Sequence, residues 1–291
     1  MEKPAFPSIL VPVDGSQSAD AALHLALRLV APGGELVLAH VIHRVEVVAE
    51  TITPYGGDPT PILNALEEEE RAIFARAEAH ARNAGIRSSS VALDGPPASV
   101  IAKLARERHV DAIAMGTHGR RGLARLILGS TAAGVVLEAT VPTFVVHEGS
   151  AVAQPFRQIL VALDASRAAS DAARVATDLA AHDGGSVFLA HVAEQRDDAD
   201  AEARALADAG AYAREAGVPS DAAILQGDPV EALLVSAETC HADLIAIGAH
   251  GGLNLPLALG SVAAAIAGRS PIPVVVLPLP AVPSASVKHR R

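Results

Sequence analysis

Gly116-Thr117-His118-Gly119 is followed, after nine further residues, by Gly129-Ser130-Thr131. Glycines let backbone N–H groups come close to phosphate oxygens, and a helix opening at Ser130 adds unpaired N–H groups and the positive end of its dipole. Arg120, Arg121 and Arg125, within the nine-residue spacer, bring cations able to neutralise a polyphosphate. The chemistry implied is anion binding. A second candidate is Asp14, in Val13-Asp14-Gly15-Ser16. Its carboxylate can accept hydrogen bonds from a ribose hydroxyl or an adenine amino group. It can equally cap a helix starting near Ser16, and the residues alone leave both readings open.

Other polar residues read as structural. His118 and His250 hold equivalent loop positions, where a histidine is more often hydrogen-bonded or solvated than catalytic. His40 and His43 form a His-x2-His pair at a strand end, but strand alternation points them to opposite faces, which argues against a metal site. The run Glu67-Glu68-Glu69-Glu70 reads as a solvated helix face, with Glu67 four residues before Arg71 as a supporting pair. No Gly-x4-Gly-Lys-Ser/Thr loop, Gly-x-Gly-x2-Gly fingerprint, Gly-x-Ser-x-Gly elbow or Cys-x2-Cys pair occurs, which removes support for P-loop NTPase, dehydrogenase and hydrolase chemistry.

The elements that must position these residues emerge from an internal repeat. Ile9-Leu10-Val11-Pro12-Val13-Asp14 returns as Ile159-Leu160-Val161-Ala162-Leu163-Asp164, and GELVLAHV at 34–41 returns as GSVFLAHV at 185–192. DAIAMG at 111–116 matches DLIAIG at 243–248, and VPTFVV at 141–146 matches IPVVVL at 272–277. The offset falls from 151 to 132 between the second and third matches, so the first half carries 19 extra residues after Val41. The segment 46–57 of that surplus is expected to be a mobile flap beside the proposed site.

Short β-branched runs alternate with Ala/Leu-rich stretches, the pattern of parallel strands joined by helical crossovers. Strands are expected near 8–13, 35–42, 86–93, 110–115 and 141–147, with helices near 16–31, 61–83, 98–108 and 130–139. Ser16 and Thr60 are the expected caps of the first two helices, and Gly33 and Gly85 are expected just past their ends. The second half repeats the pattern with strands near 158–163, 186–192, 221–225, 242–247 and 272–277. The expected organisation is a first domain over 1–149, a linker at 150–156, a second domain over 157–279 and a disordered tail at 280–291. The two final strands, apolar and exposed if left as edges, are expected to pair with each other, giving an internal pseudo-dimer.

Composition agrees with an α/β reading: half the residues are hydrophobic and only 2% aromatic, which suits cores of Ala, Val, Leu and Ile between helices and parallel strands. Thirty-three acidic against 23 basic residues give a formal net charge of −10, which argues against nucleic acid as a partner. The lone Cys240 allows no internal disulfide, the N-terminus lacks a secretory signal, and the uncharged stretch 251–268 is interrupted by Asn254, Pro256 and glycines. A cytoplasmic protein with no membrane span is expected.

A strand ending Val-Asp-Gly-Ser, combined with Gly-x2-Gly-x9-Gly-Ser/Thr, resembles the universal stress protein family over nearly all of both halves. The resemblance implies two doubly wound domains, each a five-stranded parallel sheet in the order 3-2-1-4-5 with helices on both faces. In the family's ATP-binding branch these positions hold the nucleotide, which here implicates Asp14, Val41, Gly116, Gly119, Gly129, Ser130 and Thr131, with Val41 touching adenine through its backbone. It implies ATP or a related adenine nucleotide with Mg²⁺ as ligand and allows a homodimer; Arg120, by its charge in the spacer, is expected to add a phosphate contact.

The second half keeps Asp164, Val192, Gly248, Gly251, Gly260 and Ser261. Its loop is one residue shorter, contains no basic residue, includes Pro256, and has Ala165 in place of Gly15. The second site is therefore expected to be the weaker one. No general base stands out, so slow hydrolysis at most is expected. A module that uses the fold for another ligand or a protein contact is the alternative.

Overall fold

Near-continuous apolar runs such as Ile9-Leu10-Val11 and Ile159-Leu160-Val161 give the central strands two buried faces, and the alanine-rich stretches between the strands supply helices that cover both. The computed structural model describes residues 6–42, 58–118, 128–150, 155–193, 199–250 and 259–278. In chain order the first half has β1 (Phe6–Pro12), α1 (Gln17–Leu29), β2 (Val30–Ile42), α2 (Thr60–Asn83), β3 (Arg87–Asp94), α3 (Pro97–Glu107), β4 (Ala112–Gly116), α4 (Ser130–Glu138) and β5 (Thr143–Val146). The second has β6 (Gln158–Ala162), α5 (Arg167–Asp183), β7 (Ser186–Val192), α6 (Ala199–Glu215), β8 (Ser220–Leu225), α7 (Pro229–Thr239), β9 (Leu244–Gly248), α8 (Ser261–Arg269) and β10 (Val274–Leu277).

All these strands form one sheet in the order β3-β2-β1-β4-β5-β10-β9-β6-β7-β8. Each half is parallel and doubly wound in the expected 3-2-1-4-5 order. The halves meet where β5 and β10 pair antiparallel, with Val145 opposite Val274, Phe144 opposite Val275 and Thr143 opposite Val276. Pairing these two strands removes both apolar edges at once.

Strand alternation divides the core into two layers, each continuous across both halves. Ile9, Val11, Leu36, Leu38, Phe144 and Val275 face α1, α2, α5 and α6. Leu10, Val37, Ile113, Val145 and Val274 face α3, α4, α7 and α8. On the first face Arg28 also crosses between halves: its guanidinium lies 3.6 Å from the Asp183 carboxylate and 5.3 Å from the centroid of the Phe156 ring.

Local details refine the sequence reading. Ser16 caps α1 as expected, its Oγ accepting from the Ala19 N–H at 3.2 Å. Thr60 is not a cap but the first residue of α2; Asp58 Oδ1 accepts from both its N–H at 2.9 Å and its hydroxyl at 2.7 Å. Those bonds, the hydroxyl's first, hold the Asp58 carboxyl below its ordinary pKa. Gly85 follows the end of α2 at φ +71, but Gly33 falls within β2 because that strand begins directly after α1. Glu67 to Glu69 are exposed while Glu70 is half-buried, and Arg71 Nε donates to the Glu67 carbonyl rather than to its carboxylate. Among the described residues α2 has 24 residues and its counterpart α6 has 17.

Candidate functional site

The register of the sheet sets two expected residues, Asp14 and Val41, in a row with Thr117. β1 pairs with β2 up to Pro12 opposite Ala39, and the Val13 N–H continues the ladder to the Ala39 carbonyl at 2.8 Å. Asp14 then comes level with Val41. On the other side Leu10 pairs with Ile113, so the same count sets Asp14 level with Thr117, one residue past Gly116. This row lies at the carboxyl ends of β1, β2 and β4, where the winding direction reverses and open α/β sheets form their ligand crevices.

The turn after β4 is held from several sides. A Cβ on Gly116 would fall 2.8 Å from the Ser18 Cβ, so only glycine lets the first turn of α1 pack on the strand end. The Ser18 hydroxyl donates to the His118 carbonyl across that contact. Thr117 uses all its polar groups: its N–H donates to the Val146 carbonyl at 3.0 Å, its carbonyl accepts from the Gly129 N–H at 3.0 Å, and its hydroxyl faces His147 Nδ1 at 3.4 Å. A Cβ on Gly129 would lie 2.6 Å from the Thr117 carbonyl oxygen. The turn and the start of α4 are thereby pressed together.

Gly129 is the N-cap of α4 and supplies no side-chain cap bond. The opening N–H groups of the helix, beginning with exposed Ser130 and half-buried Thr131, receive no capping side chain, whereas Ser16, Ser166 and Asp228 cap α1, α5 and α7. Such a helix end attracts an anion through its N–H groups and dipole.

Of the two sequence readings of Asp14, the structure modifies the capping one. Asp14 Oδ1 accepts from the Ser16 N–H at 2.9 Å and shapes the turn, while the cap itself is Ser16. Oδ2 has no hydrogen bond among the described residues, so one carboxylate oxygen remains available to a ligand. Val41 is half-buried against the α3/α4 core layer.

Sequence reasoning missed the residues that support this row. His40 is buried, and its Nδ1 lies 2.6 Å from the Val13 carbonyl, fixing the chain just before Asp14. In the second half His191 Nδ1 lies 3.0 Å from the Leu163 carbonyl and 3.1 Å from Glu202 Oε2, and Glu202 Oε1 accepts from the Ala165 N–H at 3.1 Å. The signal was present: Ala-His-Val occurs in both copies of the repeat. Ser18, Thr117 and His147 were also missed, and there the signal is a difference, since the second half has Ala168, Ala249 and Pro278 at those places.

The second half keeps the scaffold with fewer hooks. Counting from Ala162 opposite Ala190 and Val161 opposite Ala246 sets Asp164 level with Val192 and Ala249. Asp164 Oδ1 accepts from the Ser166 N–H at 2.9 Å, and the Gly260 N–H donates to the Ala249 carbonyl at 2.8 Å. Gly248 is also constrained, a Cβ there lying 2.9 Å from the Ala168 Cβ. Gly260 caps α8 without a side-chain bond, and Ser261 opens that helix exposed. His250 is buried with neither ring nitrogen hydrogen-bonded among the described residues, unlike either expectation for a loop histidine. Gly119, Arg120, Arg121, Arg125, Gly251, Pro256, His43, the flap at 46–57 and the tail at 280–291 lie outside the described residues.

Among the described residues no helix is long and apolar enough to cross a membrane, and no cluster of three His, Cys, Asp or Glu could hold a metal ion. A profile of the Universal stress protein family matches residues 5–147 and again 155–278. Universal stress protein MJ0531 of Methanocaldococcus jannaschii is 33% identical over 144 residues, which cover 49% of this chain and 83% of that one. Universal stress protein Rv2005c of Mycobacterium tuberculosis is 27% identical over 296 residues, covering 92% of this chain and 96% of the relative. The fold also matches the crystal structure of a universal stress protein from Archaeoglobus fulgidus, with a TM-score of 0.71 at 24% identity over 94% of this chain and 98% of that one.

Proposed function

Because the chain belongs to the universal stress protein family, with two tandem domains of that type, we propose that its first half binds ATP or a related adenine nucleotide and that occupancy biases a stress-response state or a partner interaction. The observation that carries this reading is the junction of Thr117 and Gly129, where a turn and an uncapped helix start are pressed together beside Asp14. The phosphates lie at the start of α4, against Gly129, Ser130 and Thr131. Asp14 Oδ2 accepts from the ribose or the adenine amino group, and the Val41 backbone meets the base. Arg120, four residues after Gly116 in sequence, adds charge. Mg²⁺ arrives with the phosphates, its usual mode where a site offers few carboxylates.

Binding rather than turnover is the function. No described histidine or carboxylate besides Asp14 stands in the row formed with Val41 and Thr117, and Asp14 is already engaged with Ser16. Hydrolysis, or phosphorylation of Ser130 or Thr131, is therefore slow.

The second half binds nucleotide weakly or not at all. Ala168 and Ala249 lack the hydroxyls of Ser18 and Thr117, and the segment 251–260 has no basic residue. Losing one or two charge-assisted contacts of about 1.5–3 kcal/mol each weakens binding by roughly tenfold or more.

The test is titration calorimetry of the full chain with ATP, with and without Mg²⁺, alongside a search for nucleotide released on denaturation. About one tight site per chain is expected. No binding, no released nucleotide and no ATP-induced rise in Tm would leave the alternative, a non-nucleotide interaction module.

A further inference from the structure

His147 is the residue after β5, and its ring reaches both halves. Nε2 lies 3.1 Å from the carbonyl of Ala267 in α8, and Nδ1 lies 3.4 Å from the Thr117 hydroxyl. A carbonyl only accepts, so Nε2 carries the proton, Nδ1 is the acceptor, and Thr117 donates to it. Burial is the main cause that lowers the pKa of this imidazole, and the bond to Ala267 opposes it. His118, on the turn after β4, lowers it further. The neutral ring this favours is the form in which Nδ1 can accept from Thr117, while Nε2–H donates to Ala267.

The bond to α8 replaces one that the helix cannot make. The carbonyl of Ala267 would normally accept from the N–H four residues on, but that residue is Pro271, which has none. Ala267 is fully buried, so no water serves instead. The last turn of α8 is thus completed by a side chain 120 residues away in the other half. Ser150 adds a second tie, its hydroxyl donating to the Pro271 carbonyl at 3.2 Å.

The arrangement has no mirror image across the pseudo-twofold. The residue matching His147 is Pro278, which carries no polar side chain, and the one matching Thr117 is Ala249. Both members of the pair are missing together. At the corresponding end of α4 an arginine of the same half, Arg106, reaches the Glu138 carbonyl at 3.2 Å instead.

We propose that His147 is a positioning residue that couples the two halves, relaying the state of the Thr117 turn to α8, the helix that opens at the second half's loop. The imidazole is rigid, so its two bonds do not adjust independently. A phosphate settling against Thr117 and Gly129 moves the turn, and the ring carries that shift to Ala267. The relay is single, but its energy acts in both directions, so a ligand at α8 would alter binding at the first loop equally. This inference rests on the proposed nucleotide site for its trigger, not for its wiring.

The test is amide hydrogen exchange and histidine ¹⁵N NMR on the full chain. Without ligand, Thr117→Val should shift the His147 Nδ1 resonance and speed exchange at the C-terminal amides of α8 by about two- to tenfold. His147→Phe should speed the same amides and abolish any further effect of Thr117→Val. His147→Gln, which keeps a donor for Ala267, should restore protection without restoring the response to Thr117→Val. With Mg·ATP, the α8 amides should move in the wild-type chain and stay still in His147→Phe while calorimetry still shows binding. Additive effects of the two substitutions, or an ATP response of α8 that survives His147→Phe, would overturn the relay. If calorimetry shows no ATP binding, the nucleotide reading fails, and the ligand-free arm alone decides the relay.

Discussion

Phe144 and Val275 stand directly opposite each other on β5 and β10, both without solvent exposure, and they join the two halves of the sheet. Phe144 also meets the Phe6 ring edge-on at 5.7 Å, so the seam is tied to the first strand. Removing the fully buried Phe144 ring leaves a cavity at the seam. Phe144→Ala should lower stability by about 3–5 kcal/mol, read from the urea midpoint. A loss below about 1 kcal/mol would mean that the seam adapts.

Gly129→Ala sets a methyl 2.6 Å from the Thr117 carbonyl oxygen and forces the start of α4 away from the turn. ATP affinity should fall by about tenfold or more, since shifted N–H groups lose charge-assisted bonds. Gly248→Ala brings a similar clash, 2.9 Å to the Ala168 Cβ, to the second half. It should cost stability and leave ATP affinity unchanged. Asp14→Ala should weaken binding and Asp164→Ala should not. Calorimetry on these four variants separates the halves, and equal effects of the two aspartates would show two equivalent sites.

The repeat made the architecture legible before any coordinates. Two copies of the strand ending in aspartate, two glycine turns and two apolar end strands marked the two halves and their seam, while the sheet order came from the resemblance to the family. Side-chain wiring was less legible because it depends on distance in space. His147 and Ala267 are 120 positions apart, and nothing local marks the Ala267 carbonyl as unsatisfied except a proline four residues on. The cap of α2 was misassigned for a different reason. Asp58, Pro59 and Thr60 are all plausible starting residues, and an aspartate two residues earlier binds the Thr60 N–H as well as a cap would.

His40 should prove structural. Leucine in its place fills the volume but leaves the Val13 carbonyl without its partner at 2.6 Å. His40→Leu should cost about 1–3 kcal/mol and loosen the turn that holds Asp14, so ATP affinity should fall with stability. Retained affinity in a destabilised variant would separate the carbonyl from the site.

Stability should decline in mild acid through His147. Its pKa lies below the ordinary 6.5 because burial penalises the charged ring. The unfolded chain binds that proton first, so this contribution is complete above about pH 6.5 and is lost as the pH falls from there through the folded-state value. Urea midpoints between pH 7 and pH 5 should fall more steeply for the wild type than for His147→Gln. Parallel slopes would place the acid sensitivity elsewhere.

The seam also orders events during synthesis. When the ribosome has released β5, its partner β10 does not yet exist, and at about 5–20 residues per second it follows on the order of ten seconds later. Throughout that interval Thr143–Val146, paired with β4 on one side, presents an open apolar edge at the margin of a finished half. Its antiparallel pairing needs only another short apolar strand, and a neighbouring chain on the same messenger presents an identical one. Joining the two halves in one polypeptide settles that competition, because β10 arrives tethered and at high local concentration. The tandem arrangement thus protects the newborn first half from its own copies.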